Sequence, residues 1–466
     1  MIEWQETKRW RGNRAKSDEF YIQLAGERFA DDVASPPPTR PPTSCGRPLA
    51  RFGVFAVMPT ATTSIKNRHL ATAKAEKNDE FYTQWADIER EMNAYLEYDS
   101  DAFRDKVILL PCDDPEWSNF SKFFALHFVD FGLNKLISTS YAPDSNPAGK
   151  YFQPTLFEAN DPKFDETRTK ANGKVFTLNA NDINDDGVIN IDDLKWEYLE
   201  GDGDFRSPEV RGLRDEADII ITNPPFSLFR EFLRWLQQGE KQFSIIGNDN
   251  AIAYKHVFHL IKGNKIWKGA TANNTDMVFG VPKGFPIKEA DRLKAERLGY
   301  PSDAERDYTR LGNSCWFTNI EHGRRHEPLE LMTMTDNLKF NRKLIATLDG
   351  RSRYQQYDNF DAIEVPYTDA IPSDYAGVMG VPISWLAKYN PEQFEILGTD
   401  ESDYESTKIY RGKRKIVNGV PVKSNTGSGG AYIRVDSFGS GTYFDVGYPV
   451  KRMYKRIFIR HRKVSS

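Results

Sequence analysis

The stretch IIITNPPF at residues 219–226 combines a buried strand, a stiff turn and the start of a helix. Its three consecutive isoleucines are typical of a strand that is covered on both faces. The two prolines cannot donate backbone hydrogen bonds, so the strand must end before them. In an open α/β sheet, ligands bind at the carboxyl ends of the strands. A helix is predicted to follow, because apolar residues recur at helical spacing at Leu228, Phe229, Phe232, Leu233 and Leu236.

The tetrapeptide Asn223-Pro224-Pro225-Phe226 suits recognition of a planar amino group. The prolines fix the backbone so that the Asn223 amide oxygen and a neighbouring carbonyl, that of Pro224, face one small space, where two acceptors can hold both amino hydrogens. Phe226 offers a ring on which a base can stack. The two acceptors would favour the positively charged nitrogen that forms as the amine attacks a methyl group. The alternative is a plain strand end with a proline turn and a core phenylalanine.

This tetrapeptide resembles the catalytic motif of S-adenosylmethionine-dependent methyltransferases that act on exocyclic amines, above all N6-adenine DNA methylases. Further stretches, taken in order, resemble the EcoRI-type modification methylases: DEFYTQ at 79–84, PCDDP at 111–115, SNF at 118–120, GDGDFRS at 201–207 and GVMGVP at 377–382. The resemblance covers about residues 71–400. It implies an α/β fold with a Rossmann-like methyltransferase sheet, helices on both of its faces and a C-terminal target-recognition region.

The resemblance also implies S-adenosylmethionine as the cofactor and assigns residues to it. Tyr82 and Thr83, in a helical stretch expected from Phe81 to Tyr98, would close the methionine end of the site. A carboxylate after the strand predicted at 107–110 would bind the ammonium group, and an Asp-Phe pair would meet the adenine. Many methyltransferases end the next strand, predicted here at 136–140, with an acid that binds the ribose, but Ser140 and Tyr141 stand at that point, so the ribose is assigned to no residue. The full predicted set is Tyr82, Thr83, Asp113, Asp114, Pro115, Asn119, Asp204 and Phe205.

Composition sets the broad class of the protein. A chain of 466 residues with 39% hydrophobic and 13% aromatic residues can bury a large core. No apolar run of about 18 residues exists, so no transmembrane helix is expected. The three cysteines are widely spaced and form no CxxC pair, which argues for a reducing cytoplasm and against a structural zinc site. We expect a cytoplasmic monomer.

The charge distribution indicates a nucleic acid as the partner, and the family resemblance implies that it is double-stranded DNA. Residues 408–466 carry fourteen Lys and Arg against two Asp, a local charge of +12 in a chain whose net charge is -4. Such a basic segment on an acidic body is typical of phosphate binding. A solvated basic tail is the alternative. The predicted DNA contacts are Lys413, Arg414, Lys415, Lys451, Arg452, Lys455 and Arg456.

Three regions are predicted along the chain. Residues 1–70, rich in proline and without hydrophobic periodicity, form a disordered extension, and we hypothesise that translation starts at Met58. Residues 71–335 form the catalytic domain, in which strands at 243–248, 277–281 and 315–318 complete the sheet. Residues 336–466 form the target-recognition region.

A calcium site is predicted inside the catalytic domain. The stretch DINDDGVINIDD at 182–193 matches an EF-hand loop, except that an Asp replaces the usual final Glu. An acidic turn without metal is the alternative. The predicted ligands are Asp182, Asn184, Asp186, the carbonyl of Val188, Asn190 and Asp193.

The function predicted from these patterns is site-specific N6-methylation of a flipped adenine in duplex DNA. Two other kinds of substrate remain open, because similar motifs serve enzymes that methylate RNA adenine or protein glutamine. A catalytically inactive module that binds DNA or calcium is the rival from a different class.

Overall fold

The computed structural model describes residues 81–114, 118–145, 161–180, 195–271, 276–304, 306–424, 429–435 and 441–462, all within one compact unit. The predictions for residues 1–70 and 182–193, for Met58 and for Pro115 lie outside these ranges. No described helix is long and apolar enough to cross a membrane.

The described strands are β1 Tyr82–Thr83, β2 Val107–Leu110, β3 Lys135–Ser140, β4 Lys174–Asn179, β5 Lys195–Tyr198, β6 Ile219–Thr222, β7 Gln242–Asn248, β8 Trp267–Lys268, β9 Met277–Pro282, β10 Arg306–Leu311, β11 Ser314–Thr318, β12 Ile363–Glu364, β13 Met379–Pro382, β14 Phe394–Thr399, β15 Arg414–Val417, β16 Val420–Val422, β17 Tyr432–Arg434, β18 Thr442–Asp445, β19 Pro449–Arg452 and β20 Arg456–His461. The described α-helices are α1 Trp85–Tyr98, α2 Asn119–Leu126, α3 Glu166–Ala171, α4 Pro208–Glu216, α5 Phe229–Gln238, α6 Lys255–Lys262, α7 Glu289–Arg297, α8 Met334–Phe340 and α9 Arg342–Leu348.

Eight of the described strands form the main sheet, in the order β5-β4-β3-β2-β6-β7-β11-β8. The central strands β3, β2, β6 and β7 are parallel, and the strands that flank them are antiparallel. The loops after the four parallel strands therefore meet at one edge of the sheet, which we call the carboxyl edge. It comprises 111–114, 141–142, 223–226 and 249–253. The mixed α/β class and the strands predicted at 107–110, 136–140, 219–222, 243–248 and 315–318 are confirmed.

Both faces of the main sheet are buried, as the run of isoleucines indicates. Ile219 and Ile221 belong to a core cluster that includes side chains of α1 and α2. Ile220 belongs to a second cluster that includes α5 and α6. Sequence explains the close packing of α5: a Cβ at Gly247 of β7 would overlap the ring of Phe229, the first residue of that helix. The motif at 223–226 is thus fixed between a buried strand and a buried helix.

Two predictions are wrong: the start of the first helix and the sheet to which the strand at 277–281 belongs. Residues 81–84 do not open the helix: α1 begins at Trp85, and Tyr82 and Thr83 form a strand that pairs with Gly280 and Phe279. The predicted strand at 277–281 exists as β9, but it lies outside the main sheet. Three described strands form its sheet, in the order β1-β9-β10. In both cases pairing between distant parts of the chain decides the structure, and local spacing carries no signal of it.

The C-terminal part of the chain contains two further sheets, which the sequence patterns did not indicate. Four described strands are ordered β12-β13-β20-β14, and five are ordered β16-β15-β18-β19-β17. Ile457 and Ile459 of β20 join the same core cluster as α5 and α6. The first C-terminal sheet is therefore packed onto the main sheet through a shared apolar core.

A buried ion pair holds β20 in the first C-terminal sheet. The guanidinium of Arg456 approaches the Glu364 carboxylate of β12 through Nη2 at 2.6 Å and Nε at 3.0 Å, and the two side chains are 8% and 4% exposed. The Tyr357 hydroxyl donates to the same carboxylate. Removing one partner of such a pair leaves the other charge buried and unpaired.

We predict that Glu364→Gln lowers the free energy of unfolding by about 3–5 kcal/mol. The matched control is Glu395→Gln on β14, whose pair with Arg460 is exposed at 41% and 47% and should contribute less than about 1 kcal/mol. Urea unfolding of the wild type and both variants measures the difference. Equal midpoints for the two variants would contradict the assignment.

Candidate active site

The amide of Asn223 has its orientation set by the backbone of Phe81, the residue that precedes β1. Its Nδ2 lies 2.6 Å from the carbonyl oxygen of Phe81. A carbonyl only accepts, so the nitrogen must face Phe81 and Oδ1 must face the other way. Among the described residues, that buried Oδ1 has no hydrogen-bond partner. Asn223 thus presents an unused acceptor at the carboxyl edge, where the sequence predicts amino-group recognition.

A second amide fixes β1 across the carboxyl edge. Asn119, the first residue of α2, donates through Nδ2 to the Thr83 carbonyl at 2.7 Å. The Oγ1 of Thr83 is buried and has no partner in the described part of the chain. The structure therefore brings together Tyr82, Thr83, Asn119 and Asn223, four of the predicted site residues. The carbonyl of Phe81, which the sequence analysis did not single out, attaches Asn223 to this segment, as the Thr83 carbonyl attaches Asn119.

The ring of Phe226 is half-buried and already has an aromatic neighbour. It stacks on Phe81 with centroids 5.7 Å apart and meets the edge of Phe279 at 6.4 Å. Rings at that separation are in contact, so no base fits between Phe81 and Phe226. A base that stacks on Phe226 must therefore use its other face. Pro224 is buried and Pro225 half-buried beside it.

Asp113 faces into the protein. Its side chain accepts from Ser118 Oγ at 2.7 Å and lies 2.5 Å from Thr222 Oγ1. The same Thr222 oxygen is 2.6 Å from the Pro111 carbonyl. One hydroxyl proton cannot serve both neighbours, so both contacts are hydrogen bonds only if the Asp113 carboxyl carries a proton of its own.

Burial supports that protonation state. It raises the pKa of Asp113 from 3.8 to about 7, although the hydrogen bonds from Thr222 and Ser118 act in the opposite direction. Asp113 thereby joins the ends of β2 and β6 next to Asn223. Asp114, the following residue, is half-buried, and its carbonyl accepts from the Ser118 amide at 2.7 Å.

Asp204 and Phe205 both have partners within the protein. The guanidinium of Arg206 lies against both Asp204 carboxylate oxygens, at 2.9 Å from Oδ1 and 2.6 Å from Oδ2, and also against Glu231 at 3.1 Å. These carboxylates raise the pKa of Arg206. Phe205 is 3% exposed and packs edge-on against Phe232 at 5.0 Å. An adenine amine would have to replace Arg206 at Asp204.

The loop at 201–204 lies against the end of β3, where Tyr141 and not an acid directly follows the strand. The Ala142 amide donates to the Asp202 carbonyl at 2.8 Å, and a Cβ at Gly203, whose φ is +83°, would overlap the Ser140 carbonyl. Burial and the charges of Asp202 and Asp204 raise the pKa of Tyr141 to about 12. Glycine therefore allows another loop to bring carboxylates to this strand end, which spacing alone did not predict.

The predicted DNA contacts differ in their surroundings. Arg456 is buried in the pair with Glu364, so it presents no charge to a phosphate. Arg452 and Lys455 share the Glu401 carboxylate at 3.3 and 3.0 Å. Lys413 donates to the Tyr432 hydroxyl at 2.7 Å, and Arg414 pairs with Asp445 at 2.6 Å. Lys415 is half-buried and Lys451 is exposed.

No group of His, Cys, Asp and Glu arranged to hold a metal ion occurs in the described ranges. The predicted calcium ligands at 182–193 all lie outside those ranges, so that site stays a prediction.

Comparison with known proteins decides the family. Residues 69–462 match the family described as adenine-specific methyltransferase EcoRI. The chain belongs to this family. It is therefore an adenine-specific DNA methyltransferase, and the family implies S-adenosylmethionine as its methyl donor. The family resemblance noted in the sequence is confirmed.

Several curated relatives span most of the enzyme. Type II methyltransferase M.EcoRI of Escherichia coli is 42% identical over 341 residues, which cover 72% of this chain and 92% of the relative. M.MpnI of Mycoplasma pneumoniae is 31% identical, with 70% and 83% covered. M.MgeORF184P of Mycoplasma genitalium is also 31% identical, with 75% and 95% covered. No solved structure matches the chain significantly.

The raised pKa of Asp113 predicts a pH-dependent stability. Between about pH 4 and about pH 7 the folded carboxyl holds a proton that the unfolded one has lost, so this group's stabilising contribution falls as pH rises through that window. In the wild type this group lowers the free energy of unfolding by up to about 1.4 kcal/mol for each pH unit, and Asp113→Asn removes that pH dependence. Urea unfolding of both proteins across the window measures the two slopes, and parallel curves would contradict the protonated carboxyl.

Proposed function

We propose that the enzyme methylates N6 of an adenine that it has flipped out of duplex DNA. Flipping is required because the amino group lies inside the base stack and is paired. The observation that carries the proposal is the unpartnered acceptor of Asn223. The hydrogen bond from Asn223 Nδ2 to the Phe81 carbonyl sets the orientation of the amide. A rotation that exchanged Nδ2 and Oδ1 would break this hydrogen bond.

In this proposal the adenine amino group gives one hydrogen to Asn223 Oδ1 and the other to the carbonyl of Pro224. The two acceptors favour the pyramidal, positively charged nitrogen that forms as the amine attacks the methyl group. The free face of Phe226 stacks against the base. Since an exocyclic amine loses its proton easily once methylated, no strong base is needed at the site.

S-adenosylmethionine supplies the methyl group, and we assign its binding site to the carboxyl edge of a Rossmann-like sheet. Two buried polar atoms without described partners, Thr83 Oγ1 and Asn223 Oδ1, fit ligands that bring hydrogen-bonding groups to this edge. We assign the ammonium group to Asp114, because Asp113 is engaged with hydroxyls. We keep Tyr82 and Thr83 for the methionine end, and Asp204 for the adenine amine once Arg206 moves away.

DNA is proposed to bind along the C-terminal sheets, with residues 71–335 as the catalytic domain and 336–466 as the target-recognition region. A nucleic acid is favoured over protein glutamine by the excess of basic residues after position 408, since cations neutralise phosphates. Duplex DNA is favoured over RNA by the family match and by the type II methyltransferases among the relatives. Polar side chains on the same loops would read base edges in the major groove.

We predict that Asn223→Ala lowers kcat by at least about 10²–10³-fold, because the acceptor acts on charge that develops during transfer. S-adenosylmethionine affinity, measured by calorimetry, should change little. Methyl transfer is measured on duplex DNA, with RNA and a glutamine-containing protein assayed in parallel.

The matched control is Asn134→Ala, the same change at an exposed position at the opposite edge of the main sheet, and it should leave kcat unchanged. Equal loss of transfer and of cofactor binding in Asn223→Ala would indicate misfolding instead. Transfer to RNA or protein in preference to duplex DNA would overturn the proposed substrate.

A further inference from the structure

The side chain of Tyr454 is aromatic and exposed to solvent. It is 69% exposed, more than any other large hydrophobic side chain in the described ranges. It lies in the turn between β19 and β20, with Lys451 and Arg452 before it and Lys455 and Arg456 after it. Within the described part of the chain, no aromatic ring or cation packs against its ring. A single exposed aromatic is common on protein surfaces, so its support and its position decide what it does.

The backbone of this turn is fixed from both sides. Arg456, held by Glu364, donates through Nη1 to the Tyr454 carbonyl at 3.0 Å. The Met453 amide donates to the Ala431 carbonyl at 2.8 Å, and the Arg456 amide donates to Asp400 Oδ1 at 3.2 Å. A buried ion pair and three hydrogen bonds therefore fix the backbone of the turn, so the direction in which the Tyr454 side chain leaves the surface is set before a partner binds.

The turn lies beside the carboxyl edge. Lys455 and Arg456 line a small cavity together with Ala253 and Lys255. Residues 249–253 directly follow β7, and β7 is the parallel neighbour of β6, whose end carries Asn223. The turn that presents Tyr454 thus borders the strand end next to the catalytic motif, although more than two hundred residues separate the two in sequence.

The surroundings match a nucleic acid more closely than a protein partner. Lys255, Arg230 and Lys451 are exposed, and the Arg230 guanidinium covers the Tyr254 ring at 5.0 Å. Arg452 and Lys455 share one carboxylate, so a positive charge remains there. Cations interleaved with aromatic rings are typical of surfaces that follow a phosphate backbone and stack on bases.

We propose that Tyr454 enters the base stack at the target site and fills the space that the flipped adenine leaves. This inference rests on the proposed function. Flipping costs the stacking energy of the base, and an inserted ring restores stacking for the neighbouring bases. Arg456 then serves as a positioning residue that supports the wedge from inside the protein.

The test compares Tyr454→Ala with the wild-type enzyme on a duplex that the wild type methylates, with 2-aminopurine replacing the target adenine. Its fluorescence rises when the base leaves the stack. We expect the flipped fraction and kcat to fall about 5- to 150-fold in the variant, the factor that corresponds to one lost stacking contact. On a duplex with an abasic position opposite the adenine, where flipping is easier, the loss should shrink to about twofold or less.

Two variants separate the wedge from other roles. Tyr454→Phe keeps the ring and should behave as the wild type. Tyr454→Gln replaces the aromatic ring by a flexible polar side chain and should behave as Tyr454→Ala. Ile409→Ala changes another exposed side chain, 64% exposed, in the same basic segment and should have no effect.

An equal loss on the paired and abasic duplexes, or no loss on either, would overturn the wedge. Failure of the wild type to methylate any duplex would instead overturn the proposed function, before any variant is compared. Matching melting temperatures of the variants and the wild type establish that folding is unchanged.

Discussion

The hydrogen bond from Asn223 to the Phe81 carbonyl is the constraint on which the site depends. It joins a residue at the end of a central strand to a backbone carbonyl from a segment 142 positions earlier. Without it the amide of Asn223 could turn, and its oxygen and nitrogen would exchange places. With it, the amide has one orientation, and the acceptor faces the space where we propose that the adenine amino group binds. A weakly nucleophilic nitrogen needs acceptors that are fixed before the reaction begins.

The rest of the carboxyl edge maintains this arrangement. The Asn119 amide donates to the Thr83 carbonyl, and the Asn223 amide donates to the Phe81 carbonyl. The short segment 81–83 is therefore attached at two points. Pairing of β1 with β9 fixes its direction. The contact between Thr222 and Asp113 joins the neighbouring ends of β6 and β2, and burial raises the pKa of the Asp113 carboxyl to about 7. For the positively charged ammonium group of the cofactor we propose the adjacent Asp114, because the Asp113 carboxyl is buried against Ser118 and Thr222.

Much of the central fold could be predicted because its signals are local. The apolar runs of β2 and β6, the proline stop and the helical spacing of α5 each depend on neighbouring residues. The role of Phe81 could not be predicted, since it acts through a carbonyl that every residue has. The separate sheet of β9 and the two C-terminal sheets depend on pairing between distant segments. A count of charged residues in the sequence includes Arg456 as a cation. It does not show that the buried Glu364 pairs with this cation and so keeps it from a phosphate.

The structure of the enzyme with duplex DNA and S-adenosylhomocysteine tests the central claim most directly. It should show the target adenine N6 within about 3.2 Å of Asn223 Oδ1, with Nδ2 still on the Phe81 carbonyl. An adenine amine held by other groups, or an Asn223 amide turned so that its nitrogen faces the base, would contradict the account.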